Sequence, residues 1–228
     1  GRVPVYAGTG CVSTRDTITL SREAERLGAD ILSIITPSFA VASQQELYDH
    51  YCAVAAHVDT PIVLYNIPAR TGNKLLPETV CRLAKDVEVI KGAKDSSGDW
   101  ENLKAYIQLT KDLDFSVLSG NDSLILPALK EGGVGGIAGC SNVYPKVLSS
   151  IYELFQEGKL DEAQAAQDSI ASFRAVFKYG NPNTVVKTAV AMLGYNVGKC
   201  RAPFNQLPQE GLEALEKVLQ ENKDKGMC

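Results

Sequence analysis

The sequence predicts an α/β protein of parallel βα units, a (β/α)8 TIM barrel with a C-terminal helical extension. Two observations carry the barrel. A β-prone apolar run followed by a helical pattern recurs six times at intervals of roughly 25 residues, the rhythm of a parallel sheet. Each run is apolar on both faces, as a sheet covered by helices requires. A third observation carries the extension: from Val143 onward the strands stop and only helical patterns follow. A barrel needs eight strands and typically about 250 residues. With six strands counted in 228 residues, and a strand starting almost at Gly1, the expectation is that the first two βα units are absent from this sequence. Residues 1–142 are then the barrel portion, strands 3–8 of the full barrel. Residues 143–228 are the last barrel helix and the helical extension.

In chain order, residues 3–7 read as the first strand and Gly8-Thr9-Gly10 as its loop. Ser13-Thr14-Arg15-Asp16 offers a serine N-cap for a helix to Leu27, which Gly28 ends. Residues 31–36 are almost wholly apolar, a buried strand closed by Pro37. Ser43 opens a capping box, S-Q-Q-E, for a helix through about His57. Residues 61–65 form the next strand, and residues 66–73, with Pro68 and Gly72, a loop. Pro77 and Glu78 suit the first turn of a short helix. Then come a strand at 87–94, a helix at 100–109, a strand at 115–119, the loop Gly120-Asn121-Asp122 and a helix at 124–131. A glycine-rich strand at 135–138 is the sixth. Helices at 147–155, 160–177, 184–193 and 210–222 complete the chain, the second with an alanine-rich face through Ala163 and Ala166.

A doubly wound sheet would place a phosphate-binding turn early. G-T-G at 8–10 is too short for the dinucleotide fingerprint, and the glycines at 132, 133, 135 and 136 precede a strand rather than follow one.

The formal net charge is −4, with no basic run, which argues against nucleic acid or an anionic membrane as partner. No apolar run approaches the roughly 18 residues of a membrane span. Cysteines stand at 11, 52, 81, 140, 200 and 228 with no C-x-x-C pair. A chain this long and apolar needs no disulfide staples, so reduced thiols and a cytoplasmic location are expected. With only His50 and His57, a histidine-based zinc site is not expected, and no metal is assigned.

Barrel chemistry collects at the C-terminal ends of the strands. The segment V-E-V-I-K-G-A-K-D-S-S-G at 87–98 brings Lys94 to such an end. Lys94 reads either as an amine nucleophile or as a lysine snorkelling out of a packed strand. Tyr65 ends the preceding strand, and a lysine beside a tyrosine is the equipment of imine chemistry: an amine to attack a ketone and a phenol to relay protons. Arg70, in the following loop, has the two-pronged geometry to grip a carboxylate. Each has a plainer reading, Tyr65 as a core residue and Arg70 as a surface one. Asn121, Asp122 and Ile137 stand at the ends of the last two strands.

The pieces G-R-V-P-V-Y-A-G-T-G at 1–10, Y-N-I-P-A-R-T-G at 65–72, G-A-K-D-S-S-G-D at 92–99, S-G-N-D at 119–122, G-G-V-G-G-I at 132–137 and P-N-T-V-V-K at 182–187 occur in one order and spacing. Together they resemble the pyruvate-dependent class I aldolase family that contains dihydrodipicolinate synthase and N-acetylneuraminate lyase. The resemblance extends to about Leu219. It implies a barrel with a helical extension, assembled as a homotetramer or homodimer, and no cofactor beyond a covalent imine. Lys94 falls on the family's Schiff-base lysine, Tyr65 on its proton-relay tyrosine, and Ile137 where a backbone contact meets the keto acid. Asn121 and Asp122 fall in its substrate-binding loop. Arg70 matches the arginine that engages the aldehyde's carboxylate in the synthases. The implied partners are pyruvate and a small aldehyde, first aspartate semialdehyde, or alternatively a 2-keto-3-deoxy sugar acid or N-acetylneuraminate to be cleaved. A catalytically silent keto-acid-binding homologue is a further alternative.

Three departures from the family matter. A G-T-T-G-E-like loop that binds the pyruvate carboxylate belongs to the upstream units. Phe39 stands where a tyrosine is commonly offered to a neighbouring subunit, so the ring is kept and the hydroxyl lost. G-C-V-S-T at 10–14 is closer to the neuraminate lyases, while Ser123 stands where those lyases carry an acid.

Overall fold

The computed structural model describes residues 1–204 and 206–227. They form two compact units, Gly1–Ile137 and a second that begins at Ala138.

The first unit alternates strand and helix throughout. Its elements are β1 (Tyr6–Gly8), α1 (Thr14–Arg26), β2 (Ile31–Ile35), α2 (Gln44–Ala55), β3 (Ile62–Asn66), α3 (Pro68–Thr71), α4 (Pro77–Asp86), β4 (Ile90–Asp95), α5 (Trp100–Thr110), β5 (Ser116–Ser119), α6 (Ile125–Glu131) and β6 (Gly135–Gly136). The six strands lie in chain order in one sheet, and every neighbouring pair is parallel. β1 and β6 are its two edges.

Local chemistry sets the helix starts. The Ser13 hydroxyl accepts from the Asp16 N–H at the head of α1. Ser43 and Glu46 form a complete capping box on α2, each satisfying the other's backbone N–H. Pro77 stands in the first turn of α4, where its missing N–H costs nothing.

The core lies between the sheet and its helices. Leu32, Ile34, Ile62, Leu64, Ala93 and Val117 turn from the strands toward Leu47, Tyr51, Leu83, Leu103 and Tyr106, all buried. Each such leucine, isoleucine or valine contributes about 1.5–3 kcal/mol. The other face differs from expectation: Ser33, Ile35, Tyr65, Lys94 and Leu118 are only half-buried, and it carries polar side chains.

Several boundaries also differ. Val3 and Val5 stay exposed, and β1 begins at Tyr6. Val87 belongs to the end of α4, its N–H bonded to the Leu83 carbonyl, and a turn closed by Ile90 N–H on Val87 O delays β4. The stretch expected as a plain loop after β3 contains α3. β6 has only two residues and ends before Ile137.

In the second unit the helix expected at 160–177 is three pieces: α8 (Leu160–Ser169), α9 (Ala171–Ala175) and a 3-10 turn, Val176–Tyr179. Around them stand α7 (Pro145–Gln156), α10 (Pro182–Met192) and α11 (Gln209–Asp224). Tyr144 and Phe173 meet edge to face at 5.3 Å in this core. The Asn222 amide donates to the Tyr144 hydroxyl at 2.9 Å. Cys11, Cys52, Cys81 and Cys200 are free thiols, whereas Cys228 lies outside the described residues. No helix is long and apolar enough to cross a membrane among the described residues.

His50 is buried on α2, bonded through Nδ1 to the Thr14 hydroxyl at 2.9 Å, while its Nε2 has no partner. Burial holds its pKa below the ordinary 6.5. The unfolded chain therefore binds a proton that the folded chain refuses. Stability is full above about pH 6.5 and falls as pH drops from there through the folded pKa, by at most about 1.4 kcal/mol per pH unit. Thermal melts of the wild type and His50→Gln between pH 7.5 and 5 should show a shallower decline for the variant. Equal slopes would mean that His50 takes up its proton as readily in the folded chain as in the unfolded one.

Candidate active site

Tyr65 and Lys94 are direct partners in the β3–β4 ladder, and Lys94 in turn pairs with Leu118 of β5. Partners across a ladder share a face, so both side chains project to the half-buried side. The Lys94 Nζ stands 3.9 Å from the centroid of the Tyr65 ring. An ammonium there meets the negative face of the phenol, worth about 0.5–2 kcal/mol.

A register shift decides that Lys94 reaches this face. Ile62 pairs with Ile90, but Val63 pairs with Gly92, leaving Lys91 as one extra residue on β4. Without it Lys94 would sit opposite Asn66 and turn toward the helix layer. Lys91 itself reaches out to Asp114 at 2.7 Å, with 41% of its side chain exposed. That pairing raises the Lys91 pKa, so this lysine stays charged at neutral pH.

One residue further along, Asn66 and Asp95 are also partners, and both are buried. The Asn66 amide donates to Asp95 Oδ1 at 2.8 Å, and Asn66 Oδ1 accepts the Leu75 N–H at 3.0 Å. The Ser97 hydroxyl donates to Asp95 Oδ2 at 2.8 Å and the Asn102 amide at 3.3 Å. Asp95 thus ties β3, β4, the loop after β4 and the first turn of α5 together behind Lys94 and Tyr65. At the rim, the Lys74 ammonium 3.1 Å from Asp99 holds that carboxyl below the usual range.

The remaining expected residues are spread around these strand ends. Arg70 lies on α3, exposed, with no ion pair or side-chain hydrogen bond among the described residues. Asn121 Oδ1 accepts from the Ser123 N–H at 3.1 Å and the Ser123 hydroxyl at 2.8 Å, capping the short turn Asp122–Leu124. Asp122 is buried. Ile137 follows β6, its N–H held by the Ser119 carbonyl at 2.9 Å. Phe39, in the loop after β2, is 98% exposed and adopts a φ of 84°. A left-handed backbone is uncommon for a bulky residue. Asn73 holds that loop, donating to the Pro37 and Ala40 carbonyls at 2.8 Å each and accepting the Ala42 N–H at 2.8 Å. Among the described residues no group of three or more His, Cys, Asp or Glu side chains is arranged to hold a metal ion. Asn66 and Asp95 stand at strand ends in the sequence without a role of their own, and Asn73 has no signal there, because their work is to hold other residues.

The sequence model of the Dihydrodipicolinate synthetase family matches residues 1–222. The chain belongs to that family. It is 41% identical over 220 residues to the 4-hydroxy-tetrahydrodipicolinate synthase of Methanoculleus marisnigri, covering 96% of this chain and 75% of the relative. Among solved structures, dihydrodipicolinate synthase from Thermotoga maritima superposes with a TM-score of 0.94 at 32% identity, covering 98% of this chain and 76% of that one. A prophage protein of the dihydrodipicolinic acid synthase family from E. coli K12, in complex with pyruvate, superposes with a TM-score of 0.91 at 29% identity, covering 100% and 76%.

Asp95→Ala leaves the Asn66, Ser97 and Asn102 donors without their acceptor. Each orphaned donor costs roughly 1–3 kcal/mol. Urea unfolding should show a loss of at least about 2 kcal/mol. A loss under about 0.5 kcal/mol, the scale of a neutral surface change, would mean that the cluster holds nothing together.

Proposed function

We propose that this chain carries the Schiff-base chemistry of a 4-hydroxy-tetrahydrodipicolinate synthase, condensing pyruvate with aspartate semialdehyde. The observation that carries the reading is the Lys94 amine 3.9 Å from the ring centroid of Tyr65, at paired strand ends. Family membership and relatives named for this activity support it. The Lys94 amine attacks C2 of pyruvate, water leaves, and a cationic imine remains as an electron sink. Tyr65 serves the proton transfers that remove a C3 proton and give an enamine. The enamine carbon then attacks the aldehyde. Because the covalent imine stabilises the carbanion, the proposed chemistry calls for no added cofactor. Arg70, exposed just beyond Tyr65 with its guanidinium unpaired among the described residues, is the residue proposed to meet the carboxylate of the semialdehyde. The backbone at Ile137 and the Asn121–Asp122 loop are proposed to border the bound substrates.

The same reading proposes that the six-stranded sheet is part of a (β/α)8 barrel, since it runs as one parallel sheet with β1 and β6 as its end strands and the relative extends beyond the matched region. It takes residues 143–228 as last barrel helix and helical extension. It further proposes a cytoplasmic homotetramer or homodimer. Phe39 favours a second reading, cleavage of a 2-keto-3-deoxy sugar acid, because it lacks the hydroxyl that synthases commonly place there.

Full-length protein should be offered pyruvate with aspartate semialdehyde, and separately 2-keto-3-deoxygluconate and N-acetylneuraminate for cleavage. Condensation should be the fastest of the three. Arg70→Ala should cut kcat/KM for the semialdehyde by roughly 10- to 150-fold, the value of a charged hydrogen bond, and leave pyruvate binding nearly unchanged. Sugar-acid cleavage without condensation above background would replace the synthase reading with the lyase one.

A further inference from the structure

Ser96 follows Lys94 by two positions, and its N–H extends the β3–β4 ladder by bonding the Asn66 carbonyl at 2.8 Å. Strand alternation therefore gives its side chain the same face as Lys94. The hydroxyl oxygen is buried and has no hydrogen-bond partner. A buried hydroxyl left unpaired is unfavourable and calls for a reason. Its neighbours supply one. A Cβ added to Gly120 would collide with the Ser96 hydroxyl and stand 2.8 Å from Lys94 Cε. Both side chains thus press on one point, and glycine at 120 is what leaves room for them together.

We propose that the Ser96 hydroxyl bridges the proton transfer by which the Lys94 adduct of a 2-keto acid matures, an inference that rests on the imine reading above. When the lysine nitrogen attacks C2, the C–N bond forms and the carbonyl π pair moves to oxygen. Nitrogen then holds one proton too many and oxygen one too few. Direct transfer between them closes a strained four-membered ring, whereas a hydroxyl between them makes it six-membered. Ser96 accepts the proton from nitrogen, gives its own to oxygen and ends unchanged, as only a group that both donates and accepts can do. The neutral carbinolamine then takes a proton at oxygen from the Tyr65 phenol, the C–O bond breaks, and water leaves, with the cationic imine and the phenolate behind.

Quench-flow trapping of pyruvate with borohydride on the full-length protein tests this. Ser96→Ala should slow the approach to the trapped adduct by roughly 10- to 150-fold, the range for a hydrogen bond to a charged group. The final yield should be unchanged, because Ser96 is absent from the net reaction. Ser96→Thr, which keeps the hydroxyl, should recover most of the rate. Gly120→Ala, whose methyl forces the hydroxyl and the lysine apart, should slow the same step independently. Wild-type rates in Ser96→Ala or in Gly120→Ala would overturn the proposal. So would equal slowing in Ser96→Ala and Ser96→Thr, which would reduce Ser96 to a space-filler. No adduct in the wild type would refute the imine reading itself, and this proposal with it.

Discussion

The pairing of β3 with β4 is the constraint from which the candidate site follows. One extra residue, Lys91, shifts the ladder so that Lys94 faces with Tyr65 instead of with Leu64 and Asn66. Because strand side chains alternate with a period of two, a one-residue slip exchanges the two faces completely. The hydrogen bond from Asn66 to Asp95, buried on the opposite face, holds that register one residue beyond the reactive pair. An acceptor shielded from water makes such a bond strong when satisfied and costly when broken. Lys94 and Tyr65 can thus be half-exposed and available to a substrate while their backbones are fixed from behind.

The same division of labour extends along the sheet. The helix-facing side is apolar and closely packed through Leu32, Ile34, Leu64 and Val117, and it supplies the stability. The other side carries Ser33, Tyr65, Lys94 and Ser96 at or near the strand ends. Glycines allow close approach there: Gly92 would meet the Ser116 carbonyl oxygen at 2.6 Å if it carried a Cβ, and Gly120 makes room for Ser96 and Lys94. The motif G-A-K-D-S-S-G at 92–98 therefore divides its residues between two faces. Lys94 and Ser96 face the site, while Asp95 and Ser97 anchor it.

Much of this was legible in the sequence. Caps at Ser13, Ser43 and Pro77 act through a few local atoms, and the structure places those helices as their patterns predict. The βα rhythm and the pairing of a tyrosine-ended strand with a lysine-ended one follow from patterns a few residues long. What the sequence hid is non-local. The bulge at Lys91 depends on how Ile62 and Ile90 meet, which no pattern within β4 reveals. The left-handed backbone of Phe39 sits in a loop clasped by Asn73, and Asn73 is remote from it in the chain. The break of the predicted helix at Ile170 has no glycine or proline to announce it. The unpaired hydroxyl of Ser96 appears only once Gly120 is beside it.

Lys94 is the residue proposed to bind the keto acid covalently, and the register shift gives a direct way to test it, since it separates two nearby lysines onto different surroundings. Full-length protein treated with pyruvate and borohydride, digested and mapped by mass spectrometry, should carry a reduced three-carbon acid on Lys94 and leave Lys91 unmodified. A label on Lys91 alone, or none on either lysine in folded protein, would contradict it.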